Sequence, residues 1–266
     1  MLIKKTLYIF FIIVNACYAQ GSFKPIATIE LGADFITTDN QNNVYIVVGQ
    51  ELSKYNKAGK LLYKYSNKNM GAISFVDPSN LLKPMLFYKN FLQIVYLDNT
   101  LSANGDPVAL DKTEYRQTQL ACASYGNGIW VYDQQNLELV RINQNLEKTV
   151  NTGNLSVILN IQLNPNYIIE YNNRVYLNNP ETGILVFDIY GTYYKTIPLK
   201  NVLHFQPIGE WIYYMVEANK IEAYHLRTTE QKVFDIEEKE FIDFRLESDL
   251  LLLKTSNLVK LYGRIK

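Results

Sequence analysis

Two histidines are the natural starting point in a search for chemistry, His204 in "VLHFQ" and His225 in "AYHLR". A metal centre or an activated nucleophile needs such a ring close to a carboxylate, a thiol or a hydroxyl. Neither histidine has a carboxylate or Cys at ligand spacing. The strand pattern developed below puts them on the innermost and third strands of one unit with their side chains apart, so they read as one channel-lining or packed ring and one surface ring. No G-x-S-x-G elbow presents a serine, and "YGNGIW" at 125–130 reads as a hairpin. "NNPETG" at 178–183 and "NGDP" at 104–107 are rich in oxygen but lack the alternating acidic ligands of a calcium loop, so turn chemistry accounts for them. Phosphate loops and dinucleotide fingerprints are absent. Cys122 sits among Leu120, Ala121 and Ala123, the setting of a buried, inert thiol. The expectation is therefore no catalytic residue, no metal and no cofactor.

The first residues, "MLIKKTLYIFFIIVNACYAQ", place Lys4 and Lys5 before an apolar run from Leu7 to Val14 and then small residues. The run is too short for a bilayer, which takes about 20 residues, but it suits a secretory leader. Cleavage after Ala19 would start the mature chain at Gln20, so residues 1–19 read as a signal peptide and 20–266 as one domain. The rival is lipid attachment at Cys17, against which the polar Asn15 stands. Without Lys4 and Lys5 the 26 basic residues fall to 24 against 26 acidic ones, a balance that recruits no nucleic acid. Only Cys122 remains, so no intramolecular disulfide is expected in an oxidising destination. No later segment reaches membrane-spanning length. The expected location is the periplasm.

What recurs along the chain is a strand, a polar break, a second strand and a turn. "NVYIVV" is followed by "ELSKYNKAGKLLYKY", "GIWVYD" by "LELVRINQNLEKTV", "RVYLNN" by "GILVFDIYGTYYKTI", "EWIYYMV" by "KIEAYHLRTTEQKVF", and "LLLLKT" by "NLVKLYGRIK". The divergent second unit, "KPMLFYKNFLQIVYLDNTLSANGDPVAL", breaks at Tyr88-Lys89-Asn90 and is expected to turn at Asn104-Gly105. The residues before each late turn, Tyr55, Leu97, Ile142, Phe187, Tyr224 and Leu261, lie 42, 45, 45, 37 and 37 apart. A period near 40 built of short strands marks a propeller blade, a sheet that must stack on its neighbours to bury both faces. Innermost strands are expected in "DFITTD", "AISFVD", "QLACAS", "YIIEY", "VLHFQ" and "FIDFRL". The sixth unit stops before its outermost strand, while "FKPIATIEL" at 23–31 belongs to no complete unit. This pattern predicts an all-β, six-bladed propeller whose N-terminal strand completes the last blade and removes an exposed edge. Two tandem sandwiches would need a polar linker, and the best candidate, 148–166, has the apolar centre "LSVILNIQL".

Tyr45, Trp130, Tyr176 and Trp211 recur at matching strand positions and are expected to pack between blades. Lys54, Lys57, Lys60, Lys64 and Lys68 are expected to protect an edge, and Glu237, Glu238 and Glu240 to form a solvated loop. Blade two departs from the rest, crowding Leu81, Leu82, Met85, Phe87, Tyr88 and Phe91 around a Pro-interrupted loop. Two readings stand: a compensating core, or an apolar docking patch rimmed by Asp77, Lys83 and Lys89. The second makes Leu81, Leu82, Phe87, Tyr88 and Phe91 partner-binding residues.

The unit "TDNQNNVYIVVGQELSKYNKAGKLLYKYS" resembles the NHL-type repeat of six-bladed propellers, with its polar turn, N-x-Y and aromatic before a Gly turn. The leader ending "CYAQG" and the Tyr, Asn and Lys bias resemble exported Bacteroidetes proteins. The stretch "FVDPSNLLKPMLFYKNFLQIVYLDNTL" is similar to a group of small periplasmic propellers that includes the plug subunit of the type IX outer-membrane translocon. This resemblance implies a non-enzymatic protein, a monomer on its own, that caps the periplasmic opening of a secretion pore and has an outer-membrane or envelope protein as its partner. Six-bladed lactonases share the architecture but hold a metal with convergent acidic and amide groups. Asp34, Asp243 and Glu170 are the inner-strand acids available here for that alternative, a small-ligand or hydrolytic use of the channel.

Overall fold

Short apolar stretches broken by Asn, Asp and Gly become six four-stranded antiparallel sheets in the computed structural model, which describes residues 23–265. The proposed leader over 1–19, with Cys17, lies outside those residues. The described chain begins with β1 (Phe23–Ile29), which stands before the first blade. Blade one is β2 (Phe35–Thr38), β3 (Val44–Val48), β4 (Glu51–Tyr55) and β5 (Leu61–Ser66). Blade two is β6 (Phe75–Asp77), β7 (Met85–Tyr88), β8 (Gln93–Tyr96) and β9 (Val108–Ala109). Blade three is β10 (Thr118–Ser124), β11 (Gly128–Asp133), β12 (Glu138–Ile142) and β13 (Lys148–Asn151), followed by a short helix, α1 (Leu155–Leu159). Blade four is β14 (Tyr167–Tyr171), β15 (Arg174–Asn179), β16 (Gly183–Asp188) and β17 (Tyr193–Ile197). Blade five is β18 (His204–Ile208), β19 (Trp211–Met215), β20 (Ile221–His225) and β21 (Gln231–Phe234). Blade six is β22 (Asp243–Leu246), β23 (Leu250–Lys254), β24 (Val259–Arg264) and, returning from the start of the chain, β1. No helix among the described residues is long and apolar enough to cross a membrane.

Alternation along each strand explains why the sheets stack. Leu86 and Tyr88 of β7 pack with Tyr45, Val47 and Leu52 of blade one, while Met85 and Phe87 pack with Ile129, Val131 and Val140 of blade three. Each of the six apolar clusters likewise lies between neighbouring blades, the last joining Ile36, Val44 and Ile46 to Leu250, Leu252 and Leu261. Fully burying one such side chain contributes about 1.5–3 kcal/mol, so a blade is stabilised only by having a neighbour on each side.

The strands define two faces. Turns from first to second strand lie on one, called here the turn face; blade-to-blade connections and turns from second to third strand lie on the other, the crossover face. Each connection is tied down there, as when Ile73 N donates to Gly49 O at 2.9 Å, Leu155 N to Leu137 O at 2.9 Å and Asn201 N to Pro180 O at 2.8 Å. The turn from third to fourth strand has its own signature. Asn56, Asp98, Asn143 and Asp188 each accept the amides two and four residues on, and in blade five His225 takes that place, its Nδ1 accepting from Thr228 N at 3.0 Å. Asp98 also corrects the expected turn of blade two: the chain reverses over Asp98–Ser102, not at Asn104-Gly105, because the carboxylate caps those amides.

Ring closure follows the expected pairing. β1 runs antiparallel to β24, from Phe23 opposite Arg264 to Ile29 opposite Val259, with a bulge between Pro25 and Ala27. Gly59, at φ +76, lets the blade-one turn approach this strand; a Cβ there would stand 2.7 Å from Ala27 Cβ. Glu238 is no free member of a solvated loop: its carboxylate takes Lys260 Nζ at 2.6 Å and Tyr262 OH at 2.8 Å, which holds it down at about 2. Lys54 departs from the edge-protecting role as well, since its side chain is buried between blades and donates to Asn99 O at 3.0 Å. Deleting residues 23–31 should expose β24, lower the melting temperature by more than about 10 °C and produce aggregates in light scattering. A peptide of that sequence should reverse both effects, and an unchanged melt would refute the closure.

Candidate functional site

The axis is lined by the first strand of every blade, and alternation aims Phe35, Phe75, Tyr167 and His204 inward. Their rings touch edge to face or tilted at centroid distances of 5.5 Å for Phe35–Phe75 and 5.7 Å for both Phe75–Tyr167 and Tyr167–His204. The Arg245 guanidinium closes the circle 5.7 Å from the Phe35 ring. This layer divides the axis into two mouths: Phe75 and Tyr167 wall both a cavity of about 280 Å³ toward the crossover face and one of about 360 Å³ toward the turn face.

Charge within the layer is arranged around His204. Arg245 hydrogen-bonds to its Nε2, and Asp243 Oδ1 stands 3.4 Å from its Nδ1. Burial first, then the positive fields of Arg245 and Lys254, holds the imidazole well below its ordinary value of 6.5. The ring is therefore neutral, and its Nε2 accepts from Arg245. Burial pushes the Asp243 carboxyl up, opposed by Arg245. Towards the turn face, Gln206 imitates a strand partner by bonding both Leu246 N and Leu246 O, and Glu247 accepts from Thr38 OH at 2.6 Å. Burial also raises the Glu247 carboxyl. These bonds join blades five, six and one, and their geometry serves ring assembly.

The inner-strand acids named from the sequence do not converge. Asp34 accepts Gly49 N at 2.6 Å, Asp243 faces His204, and Glu170 reaches across to blade three, where it accepts Ser124 OH, Trp130 Nε1 and Tyr125 N. No group of three or more His, Cys, Asp or Glu that could hold a cation is gathered among the described residues. His204 and His225 lie on β18 and β20 with β19 between them. Cys122 is buried and its thiol is pushed up by that burial. Tyr45, Trp130 and Tyr176 are buried between blades as expected; Trp211, at the very start of its strand, is only half-buried and lies against His225 and Lys232.

Blade two divides the proposed docking residues three ways. Phe87 and Tyr88 are buried, because a second strand is covered on both faces by neighbouring blades, and neither can meet a partner. Leu81 is half-buried and Leu82 is 72% exposed, both on the turn face. Phe91, 49% exposed, follows β7 and so lies on the crossover face. Leu82, Tyr125 and Tyr190 are exposed on the turn face and Leu61, Leu62, Tyr63, Tyr193 and Tyr194 on outermost strands, while Val157, Ile158, Leu203, Val216 and Ile242 join Phe91 on the crossover face. Those on the crossover face sit in connections rather than strands, where no periodicity marks them.

No family model matches the chain, and no curated protein matches it. Solved structures do. A streptogramin B lyase structure is similar with a TM-score of 0.61 at 11% identity, over 92% of this chain and 97% of that one. The Neurospora crassa Pan2 WD40 domain gives 0.61 at 9% identity, over 93% and 97%. BamB from Moraxella catarrhalis gives 0.56 at 9%, over 91% and 99%. An enzyme and proteins of other kinds share this scaffold, so likeness at these identities carries the fold alone.

Two measurements test this placement. Phe87→Asp should cost about 3–5 kcal/mol by burying an unpaired charge in a filled core, whereas Phe91→Asp should leave the melt unchanged; equal effects would contradict the assignment of faces. For His204, the unfolded ring takes a proton below about 6.5 while the folded one resists it, so its contribution is complete above that value and lost as pH falls. The melting temperature should therefore drop more between about pH 7 and pH 5 in the native chain than in His204→Gln, and parallel curves would exclude the buried neutral ring.

Proposed function

We propose that this chain is an exported, non-enzymatic propeller that acts as a protein-binding subunit of the cell envelope. More specifically, we read it as a cap on the periplasmic opening of an outer-membrane protein-secretion translocon of the type IX kind. The observation that carries this reading is the apolar crossover face. Val157, Leu203 and Ile158 are 78%, 61% and 57% exposed, and with Phe91, Val216 and Ile242 they are spread from blade two to blade six. Large apolar side chains left in water on one face mark an interaction surface, and their spread around a disk suits contact with the rim of a circular opening. The aromatic layer across the axis suits a cap as well, because it fills the hole a propeller would otherwise leave.

The resemblance of the 75–101 stretch to small periplasmic propellers supports the same partner class, an outer-membrane protein. Docking is assigned to the crossover face, with Phe91 as the one residue of the blade-two patch that remains in it. A photo-crosslinker placed at Leu203 in the native envelope should capture an outer-membrane protein, and one at Leu82 should not. The double variant Ile158→Asp with Leu203→Asp should keep its melting temperature and lose the adduct. Full recovery of the adduct by that variant would defeat the reading.

A further inference from the structure

Blade one ends in β5, which pairs with β4 on one side and has no strand on the other. Such an edge offers its outward amides and carbonyls to any extended chain. The other outermost strands are shorter or, in β1, broken by Pro25 and a bulge. β5 has six residues and no proline, and beyond a bulge at its start Tyr63–Ser66 run in regular register with Glu51–Lys54. Leu61, Leu62 and Tyr63 stand exposed along it.

Lysines bracket this edge. Lys57 and Lys60 lie in the turn before β5, Lys64 within it and Lys68 just after it, all exposed. Lys64 pairs with Glu51 at 2.7 Å, whereas Lys57, Lys60 and Lys68 take part in none of the ion pairs found among the described residues. The carboxylate of Asp98 in the adjoining blade caps its own turn, and its field falls on the buried Lys54. A second copy of the chain pairing along β5 would set lysines against lysines, which opposes self-association. A lipid surface would attract the lysines but leave the backbone edge without hydrogen-bond partners. An extended acidic segment meets every requirement: its backbone continues the sheet, its apolar side chains cover Leu61, Leu62 and Tyr63, and its carboxylates neutralise the lysines.

We propose that β5 is a docking edge for an acidic, extended segment of another protein, which adds to blade one as a fifth strand with its carboxylates beside Lys57, Lys60 and Lys68. The lysines then do two things at once, holding copies of this chain apart and selecting a partner of opposite charge. ¹⁵N-labelled protein is titrated with acetyl-Glu-Glu-Val-Thr-Val-Thr-Glu-Glu-amide, with the same peptide carrying Lys for Glu, and with a third carrying Pro for Val, which keeps the charge but cannot continue a sheet. Vesicles of phosphatidylglycerol and phosphatidylcholine form a fourth arm. The amide signals of Leu61–Ser66 should shift saturably with the first peptide alone, and their outward amides should become slow to exchange with solvent. The triple variant Lys57→Gln, Lys60→Gln and Lys68→Gln should weaken that response about tenfold with an unchanged melt. Leu203→Asp, on the crossover face, should leave it intact, so this edge and the docking reading fail independently. An equal response to the proline or lysine peptide, binding to the vesicles in place of the peptide, pairing of two native chains along β5, an undiminished response in the triple variant, or no response to the acidic peptide would overturn the proposal.

Discussion

Everything in this molecule depends on a single antiparallel pairing between the two ends of the described chain, β1 against β24. A blade has two apolar faces and no core of its own, so each sheet is stable only between two others. Five complete blades and a three-stranded remnant would leave Leu250, Leu252 and Leu261 beside an open edge. With β1 in place, those leucines meet Ile36, Val44 and Ile46, and the ring has no first or last member. The polar bonds on the inner strands follow the same circle: Asp77 to Ala123 N, Ser124 to Glu170, Gly209 N to Tyr171, Gln206 to Leu246 and Thr38 to Glu247. Inner strands have one unpaired edge each, and side chains from a neighbouring blade satisfy part of it.

Closure also decides what the axis can be. Six inner strands converge, and five of them supply Phe35, Phe75, Tyr167, His204 and Arg245 to one layer, while Gln119, Leu120 and Ala121 of blade three line the cavity beside it. His204 is kept neutral in that layer because Arg245 already holds the charge and burial penalises a second cation. Of the inner-strand acids, Asp243 and Glu170 make contacts between blades, and Asp34 accepts a turn amide of its own blade. The two faces differ: one carries exposed apolar connections, the other clefts between turns.

The fold was legible because it is written in periodicities. Short alternating strands, five near-equal intervals between third-strand ends, an unassigned strand at the start and a missing one at the end define the ring without any knowledge of contacts. The turn-capping series Asn56, Asp98, Asn143, Asp188 and His225 sits one residue beyond the positions used to measure those intervals. It was readable too, and would have moved the blade-two turn to Asp98.

The candidate site was legible only in part. Sequence marked blade two as unusual and named Phe87, Tyr88 and Phe91 together, since all are large, apolar and adjacent. Yet β7 crosses the disk from one face to the other, which buries Phe87 and Tyr88 on opposite sides and delivers Leu82 and Phe91 to different surfaces. Alone, the amino-acid order determined the number of blades, the strand that closes them and which residues alternate toward a core. Tertiary structure alone decided which apolar residues remain in water, which cations lack a partner and which acids are already occupied. Those properties belong to groups brought together from different blades, and no local pattern records a neighbour 40 or more residues away.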